Sequence, residues 1–311
     1  MGSPEDLGRY RFKRLLGRGV LGEVWEAHDL ERVGSKVVVK IMHAPSEELA
    51  FARLLFAREA RLASLLRHPN VATVQDAGEA AGTSFLVMSL VEGRPLRVAN
   101  GDAATTGDDR LRWLRQIADG LAAMHRLGLA HRDVKPENVL VRPDGSACLV
   151  DLGLAKWMKA EPLYDVEPIE LDLDRGPAIT EYTPPEAATL EEATYDDLGD
   201  QYAWGVLARE LLTGSAADDS ARALRGQPGL EPAMVAAVER AASIERAERF
   251  SSMQDLLESI GYPVNAPVDD AGSTAQLRTE GGRRWPRRSV WVWGLALFAV
   301  VGAFALALAL R

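Results

Sequence analysis

The stretch His131-Arg132-Asp133-Val134-Lys135-Pro136-Glu137-Asn138 constrains this 311-residue chain more than any other. It sets a carboxylate, a lysine two residues on and an amide five residues on in one turn-like run. Such a run suits chemistry on a phosphoryl group. Asp133 can accept and orient the proton of an attacking hydroxyl. Lys135 can neutralise the transferring group, and Asn138 offers an oxygen to a magnesium ion. A polar loop that merely follows a helix has no need of all eight positions.

Other groups fit the same chemistry less specifically. Gly17-Arg18-Gly19-Val20-Leu21-Gly22-Glu23-Val24 joins two strand candidates, and its glycines let backbone approach a polyphosphate without Cβ clashes. Alone, it also reads as a glycine-rich hairpin with no ligand. A dinucleotide fingerprint fits worse, because Val24 opens a strand rather than a helix. Lys40 ends the run Val37-Val38-Val39, where an ammonium can reach phosphate oxygens or simply be solvated. Glu59 can orient that ammonium, or be an ordinary helix-surface carboxylate. Asp151 follows the apolar strand Ala147 to Val150 and forms an Asp-x-Gly turn with Leu152-Gly153, able to present a carboxylate to metal.

Periodicity places these groups on elements. Tyr10 to Leu16, Gly22 to Asp29, Lys36 to Ile41 and Ser84 to Leu90 read as strands. Ser46 to Arg67 reads as an amphipathic helix ended by His68-Pro69-Asn70. After Gly93 the pattern turns helical, with long segments over Arg110 to Leu127 and Asp200 to Leu212 stopped by Gly128 and Gly214. The globular domain covers residues 10–262. Residues 263–289 have the composition of a linker.

Val290 to Leu310 is 21 residues without a charge, enough to cross the ~30 Å hydrocarbon core at ~1.5 Å per residue. Arg283-Arg284-Trp285-Pro286-Arg287-Arg288 precedes it and Arg311 follows, so the positive-inside rule leaves the N-terminal bulk in the cytoplasm. Trp291 and Trp293 fall at that interface. Together these predict a single-pass protein of the inner membrane. Ala299, Ala303 and Ala307 form a small-residue stripe, a candidate face for a homodimer, although such spacing arises easily in an alanine-rich span.

Bulk properties remove other classes. A net charge of −9 and a pI near 5.2 provide no phosphate-neutralising face, so nucleic acid is not an expected partner. A single cysteine, Cys148 in an apolar run, permits neither an intrachain disulfide nor a cysteine-based metal site. The N-terminal residues have neither the build of a signal peptide nor the residues of a myristoylation site.

Taken together, these residues resemble a eukaryotic-like (Hanks-type) serine/threonine protein kinase of bacterial kind, from about Tyr10 to Ile260. The resemblance implies an α+β fold of two lobes, a β-rich N-lobe over 10–88 and a helical C-lobe over 93–262, followed by linker and transmembrane helix. It implies that Leu16, Gly17, Gly19, Gly22 and Val24 cover ATP, with Leu140 also lining the nucleotide site. Lys40 would pair with Glu59 and the α- and β-phosphates. Met88 would be the gatekeeper, and Leu90 and Val91 the hinge that reads adenine. Asp133 would be the catalytic aspartate with Lys135 beside it, and Asn138 and Asp151 would hold Mg²⁺. Pro185-Glu186, Arg249 and Asp200 resemble the positions that hold such a fold together. ATP, Mg²⁺ and protein substrates are the implied cofactors and partners.

The chain also departs from that pattern. Leu152 stands for the usual Phe, and Val38 narrows the roof over adenine. Leu154 to Ala178 contains no Ser or Thr but carries six carboxylates, which could pair with Arg132 in place of a phosphate. Ile179 stands where a threonine normally contacts the catalytic aspartate. Ile179 and the run 154–178 motivate a second reading, a nucleotide-binding scaffold (pseudokinase) at the membrane.

Overall fold

The protein is described here by a computed structural model over residues 7–19, 22–32, 34–42, 60–80, 83–151, 180–188, 196–214, 216, 220–262 and 277–278. Its first part is an antiparallel sheet of β1 (Tyr10–Gly19), β2 (Gly22–Asp29), β3 (Lys36–Met42), β4 (Val74–Ala80) and β5 (Thr83–Ser89), in the order β1-β2-β3-β5-β4. In β3 the period-2 alternation of strands buries Val37, Val39 and Ile41 against Tyr10, Ala27, Phe85 and Val87. Val38 and Lys40 therefore face the other way, toward the second part of the molecule. This one alternation aims Lys40.

The predicted strands agree with β1, β2, β3 and β5 to within a few residues at each end. The sequence reading missed β4, whose Gln75, Asp76, Gly78 and Glu79 hide any alternation. Pairing with β5 holds it, with Val74 opposite Met88 and Ala77 opposite Leu86. At the outer edge of β4, Leu277–Arg278 adds a parallel pair with Ala77 and Gly78. A two-residue strand thus lies inside the stretch expected to be plain linker. Of the predicted helix Ser46 to Arg67, residues 60–63 are helical; the rest of its length before residue 60 lies outside the described residues.

The second part is mainly helical. After β6 (Arg94–Pro95) come α1 (Leu96–Asn100) and α2 (Gly107–Arg126). A capping box starts α2: Asp109 N donates to Thr106 Oγ1 (3.2 Å) and Thr106 N to Asp109 Oδ2 (3.0 Å). Its Trp113, Leu114, Ile117, Leu121 and Met124 recur at helical spacing and are buried. Next come the short strands β7 (Val139–Val141) and β8 (Ala147–Leu149), then α3 (Pro185–Ala188) and α4 (Asp197–Thr213). Asp196 caps α4, and Gly214 closes it in the left-handed conformation (φ 82°) that a Cβ disfavours. Outside α4 lie α5 (Ser220–Arg225), α6 (Pro232–Ala241) and α7 (Met253–Ser259).

The centre of this core is α4, with Trp204 and Leu207 fully buried. Gly205 gives α6 its close approach: a Cβ there would lie 2.7 Å from the backbone N of Ala242. Gly205→Ala should therefore destabilise by about 2 kcal/mol, the overpacking cost outweighing the ~1 kcal/mol gain in helix propensity. An unchanged or higher Tm would contradict this. The two parts are stitched together where Asn70 Nδ2 donates to Ala147 O (2.7 Å) and Ala72 N to Leu149 O (2.8 Å).

No helix among the described residues is long and apolar enough to cross a membrane. Residues 290–310, the basic stretch before them and the alanine stripe lie outside the described residues.

Candidate active site

The loop from His131 to Asn138 is held from below by α4. Asp200, fully buried, accepts hydrogen bonds from His131 N (2.6 Å) and Arg132 N (2.7 Å) and lies 2.9 Å from His125 Nε2. A buried carboxylate with two charge-assisted backbone bonds is a strong anchor. Arg132 adopts φ 64° there, a conformation that non-glycine residues reach only when their surroundings insist. Burial pushes His131 below the ordinary histidine value. Its neutral ring accepts the N–H of Asp133 at Nδ1 (3.3 Å).

Asp133 is fixed from two sides. Asn138 Nδ2 donates to both its backbone O and its Oδ2, each at 2.8 Å, and Lys135 Nζ lies 2.8 Å from the same Oδ2. The Asn138 nitrogen is thereby committed, leaving the amide oxygen as its cation-binding end. The loop runs into β7, which pairs with β8 so that Val139 faces Leu149. Val150 N then donates to Asn138 O (2.9 Å), and Asp151 emerges beside the loop with φ 58°. Arg132 and Asp151 are the only non-glycine residues at positive φ among those described, and both flank the same point.

From the sheet above, Lys40 Nζ forms an ion pair with Asp151 Oδ1, across 111 positions of sequence. The register sets Gly17 opposite Val24 and Val24 opposite Lys40, a row across β1, β2 and β3. Gly19 sits opposite Gly22 where those first two strands close. Val38 pairs with Met88, which is buried, while Leu90, Val91 and Leu140 are half-buried and Leu16 is exposed.

The structure thus brings together Lys40, Asp133, Lys135, Asn138 and Asp151, five side chains spread over more than a hundred residues. Glu59, Leu152, Gly153, Ile179 and the acid-rich run 154–178 lie outside the described residues. The sequence reading missed His125, although a histidine one helical turn beyond Leu121, on the buried face of α2, was a legible signal.

Further out, Arg249 makes a bidentate bond to Glu186, Nη1 to Oε1 at 2.6 Å and Nη2 to Oε2 at 2.8 Å. It also donates to Leu198 O (3.0 Å) and Ser243 O (3.0 Å). The segment returning from residue 180 is thereby tied to α4.

Known proteins resemble this chain in sequence and in fold. The protein kinase domain family matches residues 10–260. A probable serine/threonine-protein kinase, pknA2 of Bifidobacterium longum, is 37% identical over 219 residues, 68% of this chain and 27% of its own length. The serine/threonine-protein kinases PknH and PknA of Mycobacterium tuberculosis are 34% and 37% identical over 88% and 67% of this chain, and 45% and 47% of their own lengths. The chain therefore spans half or less of these relatives. Among solved structures, the PknI kinase domain of Mycobacterium tuberculosis superposes with a TM-score of 0.61 at 24% identity, covering 84% of this chain and 98% of that one. The PpkA-294 apo form superposes at 0.62 and 18% identity, with 84% and 99% covered. Those two likenesses concern the bilobal fold. The family match over most of the length, laid over a site of this geometry, makes the chain a member of the protein kinase family.

Proposed function

We propose that the chain is a serine/threonine protein kinase, transferring the γ-phosphoryl group of ATP to Ser or Thr hydroxyls of protein substrates. The observation that carries this is the Asp133 carboxylate, held by Asn138 and Lys135 in a loop anchored on Asp200, with that loop bonded through Asn138 O to Val150, the neighbour of the Asp151 that pairs with Lys40. A carboxylate so placed takes the proton of the substrate hydroxyl as its oxygen bonds to phosphorus and the bond to the ADP oxygen breaks. Lys135 offsets charge on the moving group. Lys40 holds the α- and β-phosphates, with Glu59 orienting it. Leu16, Gly17, Gly19, Gly22, Val24, Met88, Leu90, Val91 and Leu140 enclose the nucleotide.

The residues also fit a hard cation. Asp151 already has a cationic partner in Lys40, and Asn138 offers its amide oxygen, both ligand types that Mg²⁺ prefers. When bound, Mg²⁺ would neutralise phosphate charge between these two side chains. Incubating the full chain with γ-labelled ATP and a generic protein substrate tests this. Label should appear on the protein with Mg²⁺ and vanish with a chelator. Label released only as free phosphate would contradict the reading.

We read residues 263–289 as a linker and 290–310 as a membrane span, with the kinase domain, 10–262, on the cytoplasmic side of the inner membrane. The uncharged run and its flanking arginines support this. Expressed in bacteria, the full chain should stay with washed membranes and a chain ending at 289 should not; equal partitioning would refute the anchor.

A further inference from the structure

Near the transfer loop, four elements meet in a cluster that the proposed chemistry does not use. Arg97, the second residue of α1, points away from the buried Leu96 and Ala99 and lies between two carboxylates. Its Nε donates to Glu137 Oε1 (3.1 Å), its Nη1 to Glu210 Oε1 and its Nη2 to the Tyr182 hydroxyl (3.4 Å). Tyr182 in turn donates to Glu210 Oε2. Burial, and then the bond to Glu210, raise the tyrosine above its ordinary value, so it remains a donor.

The location gives the cluster its meaning. Glu137 immediately precedes Asn138, whose amide holds Asp133, and Tyr182 lies four residues before the anchored Glu186. Glu137 is one residue, about 3.8 Å along the backbone, from the Asn138 that bonds Asp133, so side chains flanking an acceptor hydroxyl at Asp133 come within reach of it. Without Arg97, that surface would present two carboxylates, one of them only 13% exposed and short of water. A carboxylate so placed takes a guanidinium readily. The chain supplies its own.

We propose that Arg97 determines specificity: it fills the Glu137–Glu210 pair from within the chain and so cancels the charge that would select basic side chains beside the acceptor hydroxyl. This rests on the kinase reading above. Across an interface, placed charge sets which partner is accepted more than how tightly.

The test compares two serine peptides, identical except that residues on both sides of the acceptor are alanine in one and arginine in the other. The full chain, Arg97→Ala and Arg97→Ala/Glu137→Gln are assayed with each, and the ratio of kcat/KM is read. A ratio is insensitive to the active fraction of each preparation. The wild type should show little preference, Arg97→Ala should raise the arginine-to-alanine ratio about tenfold, the effect of one charge-assisted contact, and the double variant should reverse most of the rise. An unchanged ratio in Arg97→Ala, or a rise that survives in the double variant, overturns the assignment. No transfer to either peptide by the wild type overturns the kinase reading itself, a separate result.

Discussion

Asp133→Asn should lower phosphoryl transfer by about a thousandfold, within the range expected for losing a positioned general base, while ATP affinity stays near that of the wild type. An asparagine keeps the shape of the side chain and a carbonyl oxygen for Asn138 Nδ2. It cannot take a proton, and it leaves Lys135 without the carboxylate 2.8 Å away. The loop itself should hold, because its anchors to Asp200 come from the backbone of His131 and Arg132. Nucleotide titration beside a turnover assay separates the effects. Turnover within tenfold of the wild type would remove Asp133 from the chemistry, and lost nucleotide binding would point to a collapsed site.

The second large effect concerns stability. Arg249→Ala should destabilise the fold by about 3 kcal/mol, the low end for breaking a buried ion pair. The low end applies because Glu186 keeps 19% exposure while the Arg249 side chain has none. The loss has two parts: an uncompensated Glu186, and backbone carbonyls at Leu198 and Ser243 left without their donor. It also has a pH signature. Burial, the largest single influence, would raise the Glu186 pKa, but the bond and charge of Arg249, a backbone bond and the charge of Arg246 together outweigh it and hold the group below the ordinary glutamate value of 4.5. A lowered folded pKa contributes stability above the unfolded value and loses it as pH falls through the folded one. Wild-type stability should therefore decline below about pH 4.5, and Arg249→Ala should flatten the part of that decline due to Glu186. Denaturant titrations at several pH values read both, and parallel pH curves for the two proteins would contradict the assignment.

How much of this was legible in the sequence follows from how local each signal is. The strand that carries Lys40 was readable from the β-branched run Val37-Val38-Val39, but its facing was not, because Val38 is as apolar as its neighbours; the burial of Val37, Val39 and Ile41 on one face decides it. The ends of α2 and α4 were readable from Gly128 and Gly214, both at positive φ. Asp133, Lys135 and Asn138 lie within six residues, and their mutual bonds are local. β4 was not readable: its polar residues are held by neighbours and by buried Asp76, which accepts a bond from the Tyr10 hydroxyl 66 positions away.

Long-range pairings escaped in the same way. Arg9 to Asp29, Arg97 to Glu210 and Lys40 to Asp151 each join residues whose separation carries no periodic signal. Only the resemblance singled out Glu186, Arg249 and Asp200, as positions that hold such a fold together. The sharp backbone at Arg132 and Asp151 left no trace in residue type, since neither is glycine. Strain of that kind becomes visible only once the surrounding anchors are seen.

Phosphoamino acid analysis of a protein substrate incubated with the full chain, Mg²⁺ and γ-labelled ATP, beside Asp133→Asn, decides whether this loop transfers phosphate to protein hydroxyls. Acid-stable phosphoserine or phosphothreonine with the wild type, and almost none with the variant, is the predicted result. Label from both proteins, or from neither, would contradict it.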